Sequence, residues 1–210
     1  MRRALERVYG TSGALDSYPM AGKTDRTIIR DVLLAAGIPE EQIWVRFPEY
    51  RRVFAQYLRE ELERRPPVPL PGAKELVDIL RQHPGIVLGL LTGNIEEGAR
   101  IKLERAGFDP GAFVVAAYGS DAQTRDELPV IALRRAQALT GERFEGKDVV
   151  IVGDTPLDIS CGLQIGAKTI AVTTGPYSEE ELAPFHPDVI LPGFQDTALT
   201  VRYILNGRVH

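Results

Sequence analysis

Several features that mark particular protein classes are scarce in this sequence. The 210 residues include one cysteine, Cys161, so no disulfide can form within the chain, which suits a reducing, cytoplasmic location. No apolar run approaches the roughly 18–20 residues that cross a bilayer, so we expect no membrane partner. The net charge of −4 gives no electrostatic reason to expect nucleic acid. A monomer or homodimer acting on a small molecule is the remaining expectation.

The composition is that of an ordinary globular protein, with 44% hydrophobic and 26% charged residues. The pattern of apolar residues changes at RRPPVPLPG (64–72), where four prolines fall within nine residues and indicate a stiff hinge. Before the hinge the apolar residues follow helical spacing, and no strand-like run occurs before residue 80. We therefore predict a helical domain over 1–68 and a second domain over 69–210.

The second domain alternates apolar runs with helical segments, which is typical of an α/β fold. The strand-like runs are 86–92, 113–118, 148–154, 169–174 and 188–193. Because these runs are apolar throughout, they favour a parallel sheet covered on both faces. Ligands of such sheets bind beyond the carboxyl ends of the strands, where Thr92 and Asp154 fall.

The stretch GDTPLDISCG (153–162) places two carboxylates four residues apart after a buried strand. If a helix starts at 156, Asp158 faces the same crevice as Asp154. Two carboxylates with a few waters suit Mg²⁺, which prefers oxygen ligands and keeps part of its hydration shell. The alternative is structural: Asp154 starts a turn and Asp158 caps a helix.

A second polar stretch, LLTGN (90–94), also follows a strand-like run. The Thr92 hydroxyl and the free N–H groups of Gly93 and Asn94 at a helix start could hold a phosphate oxygen. The alternative is a simple helix cap, with Asn94 as the N-cap and the acidic residues after it favouring the helix dipole.

Taken in order, the two stretches resemble the haloacid dehalogenase-like superfamily, in its phosphoglycolate and sugar-phosphate phosphatase branch. LLTGN is similar to the second family motif, which implies that Thr92 binds phosphate. VVIVGDTPLDI is similar to the fourth, which implies that Asp154 and Asp158 position Mg²⁺. The resemblance implies a Rossmann-like parallel sheet core with an N-terminal α-helical cap domain.

The third family motif, a lysine before a helix, has no exact counterpart. The matching region SDAQTRDELPVIALRRA (120–136) contains Pro129 and the helix but no lysine. Arg125 is the nearest cation, and its fixed charge could neutralise an aspartate and a phosphate. Alternatively, Arg125 is a solvated loop residue.

The first family motif, D-x-D-x-T, is absent from the chain. In the family its first aspartate is the nucleophile and its second the general acid and base, and both follow the central strand of the sheet. We therefore expect the first core strand to be missing and the nucleophile to lie upstream of Met1. The alternatives are a truncated, inactive protein or a strand borrowed from a partner.

Two further residues have both a functional and a structural interpretation. Lys23 lies in the cap turn AGKTD (21–25), which in this branch can face the substrate, or it is a solvated lysine. Cys161 has no histidine nearby in sequence, so a small buried residue is favoured over a nucleophile.

The sequence predicts a Mg²⁺-dependent phosphomonoester hydrolase of a small phosphorylated metabolite that works through an aspartyl-phosphate. The alternatives are a catalytically inactive phosphate- or metabolite-binding protein and a haloacid dehalogenase.

Overall fold

A computed structural model describes residues 1–205, so the last five residues of the predicted domain 69–210 lie outside the described range. The chain divides into two compact units. The first comprises Met1–Val68, Thr92–Pro110 and Tyr118–Thr124. The second comprises Pro69–Leu91, Gly111–Ala117 and the chain from Arg125 onward. The first unit thus includes two segments from beyond the predicted boundary at 68, and the predicted extents of cap and core stay a prediction.

The first unit is helical, as its apolar spacing predicts. Its helices are α1 (Arg2–Tyr9), α2 (Asp25–Ala35), α3 (Glu40–Arg64) and α5 (Glu96–Arg105). They enclose a core of aliphatic and aromatic side chains in which Leu5, Ile29 and Tyr50 are fully buried. Ile95, just before α5, belongs to the same core. The segment 92–110 is therefore an integral part of this unit.

Two local features of this unit concern a helix cap and a proline. The N-cap of α2 is Thr24, whose hydroxyl accepts a hydrogen bond from the Thr27 N–H, and Asp25 is the first helical residue. Pro48 lies inside α3, which runs unbroken from Glu40 to Arg64.

The second unit contains the strands, and all of them are shorter than the apolar runs that predict them. They are β1 (Gly89–Thr92, whose last residue falls in the first unit), β2 (Val115–Tyr118, likewise), β3 (Val150–Gly153), β4 (Lys168–Val172) and β5 (Val189–Leu191). Its helices are α4 (Ala73–Gln82), α6 (Leu128–Thr140), α7 (Pro156–Gln164), α8 (Glu179–Leu182) and α9 (Thr197–Leu205).

The strands form two separate sheets. β3, β4 and β5 are hydrogen-bonded in that order and run parallel, with Val152 opposite Ile170 and Ile170 opposite Val189. β1 pairs with β2 in a second sheet. This arrangement confirms the α/β class and the parallel pairing of β3 to β5. Within residues 1–205, no helix is long and apolar enough to span a membrane.

Candidate active site

The predicted turn after β3 is built around the carboxylate of Asp158. Thr155 is the N-cap of α7, and Pro156 occupies the first helical turn, where its missing N–H costs nothing. The Thr155 hydroxyl accepts from the Asp158 N–H, and one carboxylate oxygen of Asp158 accepts from the Thr155 N–H at 3.0 Å and from its hydroxyl at 2.7 Å. The same oxygen accepts from the Asp154 N–H at 3.2 Å. The side chain therefore fixes the backbone that carries Asp154.

The second oxygen of Asp158 is bound by Arg125. The Arg125 guanidinium donates to Asp158 Oδ1, and the side chains are only 12% and 7% exposed, respectively. The Nε of Arg125 is buried with no hydrogen-bond partner. This side chain is therefore a fixed cation at the carboxyl end of β3, and the alternative of a solvated loop residue is wrong. Its catalytic role stays a prediction.

Asp154 is the less engaged of the two carboxylates. It is partly exposed, and no side chain among residues 1–205 is seen to donate to it. Partial burial, followed by the nearby Asp158 charge, raises the pKa of Asp154 above its usual range, whereas Arg125 opposes the shift. A carboxylate with a raised pKa and no side-chain donor gains from a cation placed beside it.

Two glycines make room for these carboxylates. A Cβ at Gly175, in the loop after β4, would lie 2.1 Å from Asp154 Oδ2. A Cβ at Gly153 would lie 2.3 Å from the Cβ of Asp158. Any other residue at either position would displace the carboxylate beside it.

The donors suit Mg²⁺, which proteins commonly hold through one or two carboxylates while waters and phosphate oxygens complete its shell. Asp154 offers oxygens directly, whereas both oxygens of Asp158 are already engaged by protein groups. Among residues 1–205, no three His, Cys, Asp or Glu side chains form a group that could hold a metal. Asp154 is thus the favoured ligand, and the predicted ligand role of Asp158 stays a prediction.

The other predicted residues lie together in the first unit. The Thr92 hydroxyl accepts from the Asn94 N–H at 3.2 Å and from its side-chain amide at 2.9 Å, which closes a tight turn. Lys102 donates to the Asn94 side-chain oxygen at 2.5 Å. Asn94 is not the N-cap of α5; that position is Ile95. The alternative interpretation of Asn94 as the N-cap of α5 is therefore wrong. The phosphate-binding role of Thr92, Gly93 and Asn94 stays a prediction.

The cap turn packs its backbone against the Thr92–Asn94 turn. A Cβ at Gly93 would lie 2.2 Å from the Lys23 carbonyl oxygen, and the Gly93 carbonyl accepts from the Asp25 N–H at 2.6 Å. The Lys23 amine donates to the Tyr18 hydroxyl at 2.8 Å. Lys23 is thus beside the turn in this unit, but its amine is engaged by a neighbouring tyrosine.

The comparisons with known proteins agree with this geometry. A family model described as haloacid dehalogenase-like hydrolase matches residues 2–162, and a second, described as HAD-hydrolase-like, matches residues 129–197.

The chain belongs to the haloacid dehalogenase-like hydrolase family.

Several known proteins resemble the chain at low sequence identity. "Probable phosphatase IndB" from Dickeya dadantii (strain 3937) is 25% identical over 168 residues, which is 78% of this chain and 68% of that protein. The crystal structure of a hydrolase from Pseudomonas syringae has a TM-score of 0.66 at 17% identity, covering 96% of this chain and 88% of that one. A beta-phosphoglucomutase from Clostridium difficile has a TM-score of 0.64 at 12% identity, covering 89% and 79%. These structures establish the fold, and the family match confirms the predicted hydrolase.

Two features of this haloacid dehalogenase-like hydrolase escaped sequence reasoning. Gly175 follows β4 in an ordinary turn sequence, and only the space around it distinguishes it, because a Cβ there would lie 2.1 Å from Asp154 Oδ2. Asp25 is 8% exposed, and its carboxylate accepts from the Ile95 N–H at 2.8 Å, where it satisfies the start of α5. Burial raises the pKa of Asp25. Neither contact joins residues that are close in sequence.

The expectation for Cys161 agrees with its surroundings. The side chain is fully buried, beside Ile151 and Ala167. Burial raises the pKa of its thiol to about 11, so the thiol is protonated at neutral pH and is not a nucleophile.

Proposed function

We propose that this protein is a Mg²⁺-dependent phosphomonoester hydrolase that acts on a small phosphorylated metabolite. The observation that carries the proposal is the cluster at the end of β3, where a buried Arg125 binds Asp158 while no side chain among residues 1–205 is seen to donate to Asp154. The relative named as a probable phosphatase supports the same chemistry. So does the fold shared with a predicted phosphoglycolate phosphatase from Haemophilus somnus 129PT, with a TM-score of 0.56 at 20% identity.

In this proposal each of the three charged residues at the end of β3 has a separate role. Asp154 binds the cation, Asp158 holds the turn that presents Asp154, and Arg125 pairs with Asp158 and adds a fixed positive charge. Bound Mg²⁺ would supply charge neutralisation for the phosphoryl oxygens. These separate roles explain why both oxygens of Asp158 are bound by protein groups whereas Asp154 lacks a side-chain donor.

The attacking group is proposed to be an aspartate on a segment that precedes Met1. Its carboxylate oxygen bonds to phosphorus while the ester P–O bond breaks, and the leaving alcohol takes a proton from a neighbouring acid. Water then cleaves the aspartyl-phosphate, which releases inorganic phosphate and restores the carboxylate. The support is the lack of any D-x-D-x-T sequence in the 210 residues.

The residues of the first unit are proposed to bind the substrate. The Thr92 hydroxyl and the Gly93 amide would donate to phosphoryl oxygens, and the Asn94 N–H would do so by exchanging its bond to the Thr92 hydroxyl. Lys23 would contact the rest of the metabolite by exchanging its bond to Tyr18 for one to the substrate. The support is the location of all four residues in one packed cluster of turns.

The test is hydrolysis of an aryl phosphate with and without Mg²⁺. It uses the 210-residue chain and a version extended upstream to include a strand that ends in D-x-D-x-T. We expect Mg²⁺-dependent phosphate release from the extended protein only, and a loss of at least a hundredfold in Asp154→Asn made in that protein. Asp188→Asn, which alters an acid bound to Lys147 on another edge of the unit, is the matched control and should keep most activity.

Three results would count against the proposal. Release of phosphate by the short chain would show that the nucleophile lies within residues 1–210. Release that survives a chelator would remove the role of Mg²⁺. Carbon–halogen cleavage with no phosphatase activity would favour the dehalogenase alternative.

A further inference from the structure

The Thr92 hydroxyl accepts two hydrogen bonds, and both come from Asn94. The Asn94 N–H donates to it at 3.2 Å and the Asn94 side-chain amide at 2.9 Å. A hydroxyl oxygen has two acceptor positions and one proton, so these two bonds fill its acceptor positions. No acceptor for its proton is seen among residues 1–205. The remaining capacity of this hydroxyl is therefore to donate to a ligand.

The orientation of the Asn94 side-chain amide decides whether Thr92 can donate. An asparagine amide has an oxygen that accepts and an NH2 group that donates, and a half-turn exchanges the two. The NH2 group faces Thr92, which leaves the hydroxyl proton free. After a half-turn the Asn94 oxygen would face Thr92 and accept that proton, so the donor would be consumed within the turn.

Lys102 fixes the orientation of the amide. Its ammonium donates to the Asn94 side-chain oxygen at 2.5 Å. An ammonium has three donors and no acceptor, so only the oxygen of the amide can lie beside it. Its charge also polarises the amide and strengthens the hydrogen bond that the NH2 group donates to Thr92. Lys102 thus sets the direction of two consecutive hydrogen bonds that end at the Thr92 hydroxyl.

Lys102 reaches the turn from the last turn of α5, eight residues after Asn94. Side chains of a helix lean toward its N-terminus, so an extended lysine at this position lies back along the helix. The residue is exposed, and a lysine near a helix C-terminus also interacts favourably with the helix dipole. That interaction requires no side-chain partner, so the bond to Asn94 is a separate feature of this lysine.

The backbone of the turn is held by bonds that do not involve Lys102. The Asp25 N–H donates to the Gly93 carbonyl at 2.6 Å. The Asp25 carboxylate accepts from the Ile95 N–H at 2.8 Å. These bonds lie on either side of Asn94, and neither uses its side chain. A substitution of Lys102 should therefore change the amide orientation and leave the turn in place.

We infer that Lys102 is a positioning residue for phosphate binding, acting through the Asn94 amide to keep the Thr92 hydroxyl a donor. Ionised phosphoryl oxygens are strong acceptors, so they match a hydroxyl in this state. The inference rests on the proposed function, which assigns the phosphoryl group to this turn. Direct contact of Lys102 with phosphate, and stabilisation of the helix end alone, are the other outcomes that the test distinguishes.

The test measures binding of inorganic phosphate to the 210-residue chain by isothermal titration calorimetry. Lys102→Met removes the ammonium and keeps most of the apolar stem, and it should weaken binding about fivefold or more. Lys102→Arg keeps a cationic donor and should bind within about twofold of the parent chain. Arg100→Met is the matched control, because it removes the same charge from the same helix, and its carboxylate partner, Glu96, is 3.9 Å away. It should also bind within about twofold of the parent.

A double-mutant cycle separates action through Asn94 from direct contact with phosphate. Asn94→Ala removes the side-chain amide and should weaken phosphate binding about fivefold. In that background Lys102→Met should change binding by less than about twofold, because the lysine no longer acts on Thr92. Two full losses that multiply would show that Lys102 acts on phosphate independently, which would overturn the inference. Circular dichroism checks that each variant folds.

Nitrogen-15 NMR observes the Asn94 amide in the absence of phosphate. Its side-chain nitrogen resonance should shift in Lys102→Met and keep its position in Arg100→Met. An unchanged resonance in Lys102→Met would overturn the inference. So would a parent chain that does not bind phosphate, or a Lys102→Met chain that binds phosphate as tightly as the parent, since the lysine would then stabilise only the helix end.

Aryl phosphate hydrolysis by the extended protein separates this inference from the proposed function. Phosphate binding that depends on Lys102, with no hydrolysis, would support the positioning role and count against the phosphatase. Mg²⁺-dependent hydrolysis with the same kcat and KM in Lys102→Met would support the phosphatase and overturn the positioning role.

Discussion

Replacing Asp158 with asparagine should destabilise the second unit strongly. The substitution keeps the shape of the side chain and an oxygen that can accept from the Thr155 N–H, so the cap of α7 survives in part. The charge that pairs with Arg125 is lost, while Arg125 stays 12% exposed with its Nε already unpartnered. The main effect is therefore an uncompensated buried cation.

The size of the effect follows from that burial. Removal of one partner from a buried ion pair costs about 3–5 kcal/mol. With a urea dependence of about 2 kcal/mol per M, a loss of about 4 kcal/mol lowers the unfolding midpoint by about 2 M. This is a large part of the roughly 5–15 kcal/mol that stabilises a typical domain.

A double-mutant cycle isolates the pair from the cap. Arg125→Met removes the cation but leaves the Asp158 carboxylate its three neighbouring donors, two N–H groups and a hydroxyl. It should therefore cost less than Asp158→Asn. In the double variant neither charge is unpaired, and we expect a coupling free energy of about 2–3 kcal/mol.

Urea unfolding should be followed by circular dichroism, because the single tryptophan, Trp44, belongs to the first unit and does not report on the second. Hydrogen exchange at α7 amides provides a second readout. If the double variant lost the sum of the two single losses, with coupling below about 0.5 kcal/mol, the ion pair would not be a stabilising unit.

Three smaller predictions follow from other contacts. Gly175→Ala should weaken Mg²⁺ binding at least tenfold by calorimetry, because the new Cβ would lie 2.1 Å from Asp154 Oδ2. Gly89→Ala is the control and should leave Mg²⁺ binding unchanged, because the nearest atom to its Cβ is 3.6 Å away. Equal effects of the two substitutions would contradict the steric explanation. Asp154→Asn should raise the melting temperature at neutral pH without Mg²⁺. The pKa of Asp154 is raised in the folded state, so the ionised form lowers stability as pH rises above the usual aspartate range, and the gain should vanish below about pH 4. Tyr50→Phe should leave the free energy of unfolding unchanged or raise it by about 1 kcal/mol, because the buried hydroxyl has no partner. Tyr9→Phe should lower the free energy of unfolding by about 1 kcal/mol, because the Tyr9 hydroxyl donates to the Ile43 carbonyl of α3 at 2.8 Å. Equal effects of the two tyrosine substitutions in urea unfolding would show that the Tyr9 hydrogen bond does not stabilise the protein.

The sequence predicts the helices and the class of fold well because both depend on local periodicity. It overestimates the strands, because an apolar run identifies a buried segment but not its hydrogen-bond partners. Residues 86–88 continue the apolar run of β1, yet they line an apolar cavity of the second unit and are not part of the strand. Asp148 likewise belongs to a short 3-10 turn before β3.

The candidate site is only partly predictable for a similar reason. The reciprocal bonds between Thr155 and Asp158 arise from spacing within one turn, which a sequence displays directly. The bond between Arg125 and Asp158 joins residues 33 positions apart, and the one between Ile95 and Asp25 joins residues 70 apart. Contacts of this kind depend on tertiary packing that no local pattern encodes.

The composition of the first unit has a practical consequence for fragment design. The proline-rich hinge invites a cut near residue 68, but a fragment 1–68 would lack Ile95, which is fully buried in the core of that unit. Asp25 would also lose the Ile95 N–H that its carboxylate accepts from, and Arg51 would lose its ion pair with Glu97. We expect this fragment to be proteolysed readily. The helical segment before the hinge can therefore be studied alone only if residues 92–110 and 118–124, which complete the unit, are joined to it.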